Sequence, residues 1–439
     1  MSTGTTYIQG IYGGNSKGLY SGSRGYGRGS MIYRKPPKKW PKILIAVLIL
    51  ILIILLLWQF ACGGLPFLKS NNAEEQNDTK QVAAITSLKN YINDMDNGAT
   101  ATIVVSGVGD CTLGTDENFD MDTSFVNMYK KVGNASYFFS NVLAYLRNDN
   151  LTICNFEGTL SSQGERADKE FAFRGPAKYS KILTAGSVEA ANLANNHSYD
   201  YGNDAYEDTK KNLTNANITN FGFDRVNTYT VNNIKVGLFG INCISGYEDK
   251  EDLVKQDIEA LQQENCNLII GCFHWGIEGD HKLESNQVKL AHAAIDAGCD
   301  LVLGTHPHVL QGVEKYNDRY ICYSLGNFCF GGNDNPQEYE TMIFQQAFVF
   351  RNGELVMDDE TINNIDIIPC SVSSSNSIND YQPTPLKGKK AKTLINNLNS
   401  YSKKIEGSGI SFAKSFNDDG TISISGSKAS AITPAGSTG

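Results

Sequence analysis

Two histidines one residue apart, His306 and His308, follow the apolar run Asp300-Leu-Val-Leu-Gly-Thr305. Imidazoles bind divalent cations, and alternate residues of an extended segment point the same way, so a His-x-His pair at a strand end can face a single ion. Such a pair alone is common among polar loop residues. Its weight comes from four other apolar runs that also end in polar groups. Thr102-Ile-Val-Val-Ser106 leads to Asp110, and Leu151-Thr-Ile-Cys154 leads to Asn155-Phe-Glu157. Val188-Glu-Ala-Ala-Asn-Leu-Ala194 leads to Asn195, Asn196 and His197, and Leu268-Ile-Ile-Gly-Cys-Phe273 leads to His274 and Glu278. Open α/β sheets gather their ligands at the carboxyl ends of strands, so these five ends are expected to meet at one edge. Four of the six histidines fall there, which surface scatter would not produce.

Collected, the groups are two carboxylates (Asp110, Glu157), amide oxygens (Asn196, with Asn195 beside it) and three imidazoles (His274, His306, His308). Oxygen and nitrogen donors without thiolate suit one or two divalent ions of Mn, Fe, Zn or Mg. A carboxylate between two ions, flanked by imidazoles, is the arrangement used for two-metal hydrolysis of phosphate esters. His197 is placed to act as general acid or to bind an anionic oxygen. Arg174, in Phe-Arg-Gly-Pro176, puts a guanidinium on a turn, where it can pair with a phosphate or carboxylate of the substrate or with an acid of the domain itself. Asn195, Glu278 and Asn327 complete the set of expected substrate-side or ligand-orienting groups. His281 and His292 lie outside these runs and read as structural.

The elements that must position these groups follow from periodicity. Strand-like runs at 102–106, 151–155, 234–242, 268–273, 300–303 and 320–324 alternate with amphipathic stretches at 125–146, 204–213, 251–263 and 285–297. Alternation of this kind predicts a largely parallel α/β sheet within 99–370. Cys154, Cys272 and Cys322 sit inside apolar runs and read as small buried hydrophobes, and no Cys-x-x-Cys pair supports a zinc ribbon. From 371 to 439 the chain turns to Ser, Gly, Asn and Lys, and is expected to be partly disordered.

The N-terminal part has a different character. Residues 1–42 hold eight Lys or Arg and no acid, in a Gly/Tyr-rich tail that cannot bury a core. Residues 43–62 are almost wholly apolar and would span about 30 Å as a helix, the thickness of a bilayer core. They are expected to form one transmembrane helix, followed by a linker and helix at 63–98. Basic residues before it and acidic ones after it place the N-terminus in the cytoplasm and the main domain outside, with the membrane as the first partner. The formal charge of the whole chain is -9, so the part after residue 42 carries -9 minus 8, or -17. So acidic a body is not expected to take nucleic acid, and it would repel a polyanion except through local contacts at a metal and Arg174.

The ordered motifs are Gly109-Asp110, Asn155-x-Glu157-Gly158, Phe173-Arg174-Gly175-Pro176, Asn195-Asn196-His197-Ser198-x-Asp200, His274-Trp275-Gly276-x-Glu278, His306-Pro307-His308-x-x-x-Gly312-x-Glu314 and Ser324-Leu325-Gly326-Asn327-Phe328. Together they resemble the CapA (PgsA) family of poly-γ-glutamate capsule synthesis proteins over roughly Thr102 to Pro369. The resemblance implies kinship with calcineurin-like metallophosphoesterases, hence a four-layer αββα sandwich with a metal centre at one sheet edge, on a domain anchored by one membrane helix. It also implies roles. Asp110 and His308 would serve a first metal, Asn196, His274 and His306 a second, Glu157 would bridge, and His197 would be the catalytic histidine. Thr112 stands where phosphoesterases carry a histidine, so the first site is one ligand short. Three functions follow as expectations: a component of capsule polymer synthesis or export working with other membrane proteins, a surface phosphoesterase for a phosphorylated lipid, nucleotide or glycan, or a non-catalytic assembly factor.

Overall fold

The computed structural model of the chain describes residues 101–223, 225–357, 365–405 and 422–423. The basic tail, the apolar segment 43–62 and the linker to residue 98 lie outside the described residues, as does most of the chain after 405. Among the described residues no helix is long and apolar enough to cross a membrane.

From Ala101 the chain runs through β1 (Ala101–Thr112), α1 (Phe125–Val132), α2 (Leu143–Leu146), β2 (Leu151–Phe156), the short pair β3 (Thr159–Leu160) and β4 (Arg174–Gly175), α3 (Ser180–Ala185), β5 (Ala190–Asn192), α4 (Gly202–Asn215) and β6 (Thr219–Phe221). Next come β7 (Asn227–Val231), β8 (Ile234–Asn242), α5 (Lys250–Gln263), β9 (Leu268–His274), α6 (Ser285–Ala297), β10 (Leu301–Thr305), β11 (Val313–Tyr316) and β12 (Arg319–Cys322). The remainder is β13 (Asn327–Phe330), β14 (Glu340–Arg351), β15 (Glu354–Leu355), β16 (Ile365–Ser371), β17 (Thr384–Pro385), α7 (Gly388–Ser402) and β18 (Ile422–Ser423).

The strands form two large sheets. The first has the order β17-β16-β14-β1-β2-β5-β6, and the second β11-β12-β10-β9-β8-β7. In both, the strands that carry the site run parallel: β1, β2 and β5 in the first, β9 and β10 in the second. The expectation of a largely parallel sheet holds for the blocks β13-β1-β2-β5-β6 and β8-β9-β10-β12. β14 and β16 are antiparallel additions to the first sheet, and β7 and β11 are antiparallel edges of the second. β7, β11 and β16 pair with near neighbours without a crossover helix, and β14 pairs with β1 from far off in sequence, so helix alternation could not reveal them.

Three apolar clusters define the layers. Ile103, Val105 and Ile153 of the first sheet meet Leu238, Ile270 and Leu303 of the second in a core between the sheets. Phe125, Phe138, Ile182 and Leu213 cover the outer face of the first sheet. Val254, Ile258, Leu290 and Ala294 cover the outer face of the second. The layers therefore run helices, sheet, sheet, helices. Each fully buried Leu or Ile in the central layer contributes about 1.5–3 kcal/mol, so this layer is the main adhesive between the sheets.

Two elements differ from the sequence expectation. The stretch 125–146 is not one helix: Gly133, at φ 63, ends α1 with a left-handed cap, and Asn134 starts a new turn. The change of composition at Cys370 does not end the packed fold, because α7 places Leu394, Ile395 and Leu398 in the core between the sheets. Ser402 Oγ then accepts a hydrogen bond from the backbone of Val313 at 2.9 Å. Nine described cysteines are free thiols and all but Cys266 are buried, as their apolar surroundings implied.

Candidate metal centre

Two glycines bring the strand ends together. A Cβ on Gly109 would lie 1.9 Å from the carbonyl oxygen of Gly326, and one on Gly304 would lie 2.1 Å from that of Tyr323. At Gly109 β1 also changes partner: residues up to Gly107 pair with antiparallel β14, and Asp110 pairs with Asn327 of parallel β13. That switch sets Asp110 and Asn327 side by side. Asp110 Oδ2 accepts from the backbone N–H of His306 at 3.3 Å, across the gap between the sheets. The five strand ends do meet.

Around Asp110 lies a chain of buried amides. Asn192 Nδ2 donates to Asn155 Oδ1 at 2.9 Å, and Asn155 Nδ2 donates to Asp110 Oδ1 at 2.7 Å. Asn155 Nδ2 also lies 3.3 Å from His274 Nδ1, so one asparagine ties both sheets. The Nε2 of His274 is 2.8 Å from Asn196 Oδ1, while Thr305 Oγ1 lies 3.1 Å from its Nδ1. Burial, reinforced by neighbouring imidazoles, holds His274 well below the usual histidine range. A neutral imidazole is the form that coordinates a cation.

Glu157 is fully buried, and neither of its carboxylate oxygens has a hydrogen-bond partner among the described residues. Its Oε1 lies 3.6 Å from His197 Nε2 and 3.9 Å from His308 Nε2. Burial, with Asp110 close by, pushes its pKa well above the carboxylate range. Thr112 donates from Oγ1 to the carbonyl of Glu157 at 2.7 Å. The residue standing in place of a ligand histidine thus fixes the backbone of the central carboxylate.

The histidine pair converges by a route different from the expected one. His306 and His308 are not in extended backbone; their φ values are 95 and 58, a region costly for side chains of this size. Their rings lie 5.8 Å apart. His306 Nδ1 is buried and unpartnered, and burial lowers its pKa to about 4. His308 behaves oppositely: burial pulls its pKa down, but Glu157 and Asp110 overcome this and push it up to about 10. Its Nδ1 lies 2.8 Å from Asn327 Oδ1 and 3.2 Å from Asp110 Oδ2.

These donors fit a divalent ion. One ligand atom each from Asp110, Glu157 and His274 lie within 4.8 Å of one another, and the same holds for Glu278, His306 and His308. Orphaned carboxylate oxygens and a bare imidazole nitrogen at zero or near-zero exposure are costly unless a cation compensates them. The structure groups the donors otherwise than the resemblance implies: Glu278, expected on the substrate side, falls among candidate ligands.

His197 faces this cluster from one side. Its Nδ1 is 2.7 Å from Asp200 Oδ2, which leaves Nε2 toward Glu157. Burial lowers its pKa, and Asp200 partly restores it. Lys169 donates to Asp200 Oδ1 at 2.7 Å and to the carbonyl of Asn196 at 3.0 Å. Asp200, Lys169, Asn155 and Thr305 were not among the expected site residues. An Asp three residues after a His was the available signal for Asp200, whereas Lys169 lies in a loop without pattern.

Two expected substrate groups are turned elsewhere. Asn195 is buried, donates to Phe156 O at 2.8 Å and accepts from the backbone of His197 at 3.1 Å, so it shapes the loop. Arg174 places its guanidinium 3.4 Å over the Tyr201 ring and donates to the carbonyls of Gln163 and Gly164. A cleft of about 1200 Å³ opens over the cluster, bounded by His197, His308, Asn327, Glu278 and a phenylalanine wall; Arg174 does not line it.

The profile of the family described as bacterial capsule synthesis protein PGA_cap matches residues 104–332, which include every donor named above. The chain belongs to this family. Among its relatives, the capsule biosynthesis protein CapA of Bacillus anthracis is 29% identical over 62% of this chain and 70% of its own. The PGA biosynthesis protein CapA of Bacillus subtilis (strain 168) is 28% identical over 56% of this chain and 67% of its own. A probable polyglutamine synthesis accessory protein of Mycobacterium tuberculosis is 27% identical over 42% and 57%. Solved structures resemble the PGA_cap chain only weakly. A hypothetical protein from Thermus thermophilus gives a TM-score of 0.37 at 14% identity, covering 61% of this chain and 98% of its own. Chaetomium thermophilum Vps29 gives 0.26 at 9%, covering 65% and 98%. The fold described above rests on its own sheets and not on these overlaps.

Proposed function

We propose that this PGA_cap chain is a membrane-anchored, extracytoplasmic component of capsule polymer synthesis or export, of the poly-γ-glutamate type, and that it works through a divalent metal centre of metallophosphoesterase kind. The polymer assignment is supported by the names of the Bacillus relatives. The anchor is supported by the apolar segment 43–62 and its basic flank. The metal is supported above all by one observation: Glu157, fully buried with both oxygens unpartnered, lies between His197 and His308.

Asp110, Glu157, Asn196, His274, His306, His308 and Glu278 would hold the ion or ions. A bound divalent ion supplies charge stabilisation to a phosphoryl oxygen and acidifies water. The protein's own contribution is proton handling and orientation. His197, held by Asp200 at Nδ1, presents Nε2 to the cleft and can deliver a proton to a leaving oxygen. Asn327 and Thr305 fix the ring planes of His308 and His274. The His197–Asp200 pair favours hydrolysis of a phosphoester over a purely scaffolding role.

The test is metal content of the purified full-length chain together with turnover of bis(p-nitrophenyl) phosphate, for the native protein, Glu157→Gln and His306→Ala. Retained metal with turnover lost in both variants supports the reading. Metal without turnover reduces it to a binding role, and no metal in any preparation removes the centre.

A further inference from the structure

We infer that the cleft above the centre selects a phosphoester whose body is cationic, an amine or quaternary ammonium, and excludes polyanions. The proposal rests on the reading that a divalent ion at the base receives the phosphoryl group. It adds what the rest of the ligand must be.

Three features of the cleft carry it. First, beyond the candidate ligand Glu278, Asp120, Asp334 and Glu340 line it, and no lysine or arginine does. None of these three forms an ion pair with a basic side chain among the described residues: Asp334 accepts from the Thr123 hydroxyl and Glu340 from Asn397 Nδ2. A fifth acid, Glu338, is taken up by His281 at 3.1 Å. Second, the basic groups that could have offset them are held elsewhere, with Arg174 on Tyr201, Arg166 on Asp116 and Lys169 on Asp200. Third, the wall beside Asp120 is aromatic. Phe119 meets Phe171 and Phe173 edge-on at 5.9 and 6.3 Å, and Phe171 is 42% exposed, unusual for so large an apolar ring. Aromatic rings that line the same cleft as carboxylates without basic partners are surroundings that attract ammonium groups, through the ring quadrupole and through charge.

At the base the charge requirement differs. Glu157 Oε1 lies 3.6 Å from His197 Nε2 and 3.9 Å from His308 Nε2, and both imidazoles line the cleft, so an ion held there would make this the anion-accepting end. A ligand with one compact anionic group and a cationic body satisfies both ends. A chain of carboxylates satisfies neither the rim nor the wall. On this reading the capsule polymer itself is not the ligand of the cleft.

The experiment measures dissociation constants by calorimetry on the purified full-length chain, metal-loaded and chelator-treated. The probes are p-nitrophenyl phosphorylcholine, bis(p-nitrophenyl) phosphate and a γ-linked glutamate oligomer. The ammonium probe is expected to bind roughly tenfold or more tightly than the uncharged-bodied diester, with the oligomer weaker than both. Asp120→Asn with Asp334→Asn should cut that preference to about threefold or less and make it insensitive to salt. Phe171→Ala, at an exposed position, should weaken the ammonium probe alone. Equal binding of the two diesters, tighter binding of the oligomer, or a preference unchanged in the double variant would each overturn the proposal. If the metal reading alone is wrong, added divalent ion will tighten neither diester, while the ammonium preference will persist in chelator.

Discussion

The two sheets bring different chemistry to the same place. The first contributes acids and amides: Asp110 on β1, Glu157 after β2 and Asn196 after β5. The second contributes imidazoles: His274 on β9, and His306 and His308 after β10. The triplet Asp110, Glu157 and His274 draws on both sheets, since its two carboxylates alone would leave a buried like-charge pair, whereas Glu278, His306 and His308 all follow strands of the second. Each candidate donor triplet is completed by a loop or by the opposite sheet. The lesson is that the core between the sheets is part of the site's machinery, and stability and ion binding are linked through it.

The strongest way to break this division is to loosen the contact between the halves without touching a donor. Leu303 packs against Gly107 across the sheets. Leu303→Ala should lower unfolding free energy by about 2–5 kcal/mol in denaturant titrations and reduce metal retention in parallel. If metal retention were unchanged in the surviving folded protein, one sheet would suffice. Next in size, removing one donor from either sheet should have equal consequence: Glu157→Gln and His274→Ala are each expected to weaken ion affinity by roughly 100-fold or more, read by competition with a chelating dye. In chelator the sign reverses for Glu157→Gln, whose melting temperature should rise because a buried, unpaired acid is replaced by a neutral amide.

A smaller effect separates orientation from ligation. Thr305→Val removes the hydroxyl beside His274 Nδ1 and should cost about 10–100-fold in ion affinity while leaving the melt of the metal-free protein nearly unchanged. Smaller again is a contrast with an ionisable group far from the site. Asp257 on α5 is buried with one oxygen unpartnered, and burial raises its pKa to about 7. An acid whose folded pKa is raised holds its proton after the unfolded chain has released one. Stability therefore falls as pH climbs from the ordinary aspartate range to about 7, and is flat above it. Asp257→Asn should remove this slope and add on the order of 1 kcal/mol at pH 8, by thermal melts across pH, with ion affinity untouched.

Much of the site was legible in the sequence because strand ends carry it. Asp110, Glu157, His274, His306 and His308 each follow a β-branched or leucine-rich run, and Asn196 an alanine-rich one, and the polarity change marks the end. Conformation at the ends was less legible. Extended backbone was expected for His306 and His308, whereas both adopt positive φ, because docking against Asp110 outweighs local preference. Arg174 illustrates another limit: a guanidinium on a turn beside an expected site reads as anion-binding, and only the position of Tyr201 shows it to be occupied. In the fold, the parallel blocks were visible through their crossover helices. β14 was not, since its partner β1 lies far off in sequence and no local period reports pairing at that range.

The placement of β1 has a consequence for synthesis. It lies inside the first sheet, with β2 on one side and β14 on the other, and Ala101 faces Phe350. At typical translation speeds, the roughly 250 residues between these partners take on the order of 10–50 s to appear. For that interval the central strand of the protein behaves as an edge, with an apolar row of Ile103, Val104 and Val105 open to any other chain. Ribosome-bound chains that stop short of β14 are therefore the species most in need of a chaperone or a neighbouring membrane surface. The rate at which the last third of the chain emerges then limits how much of this protein reaches the folded state.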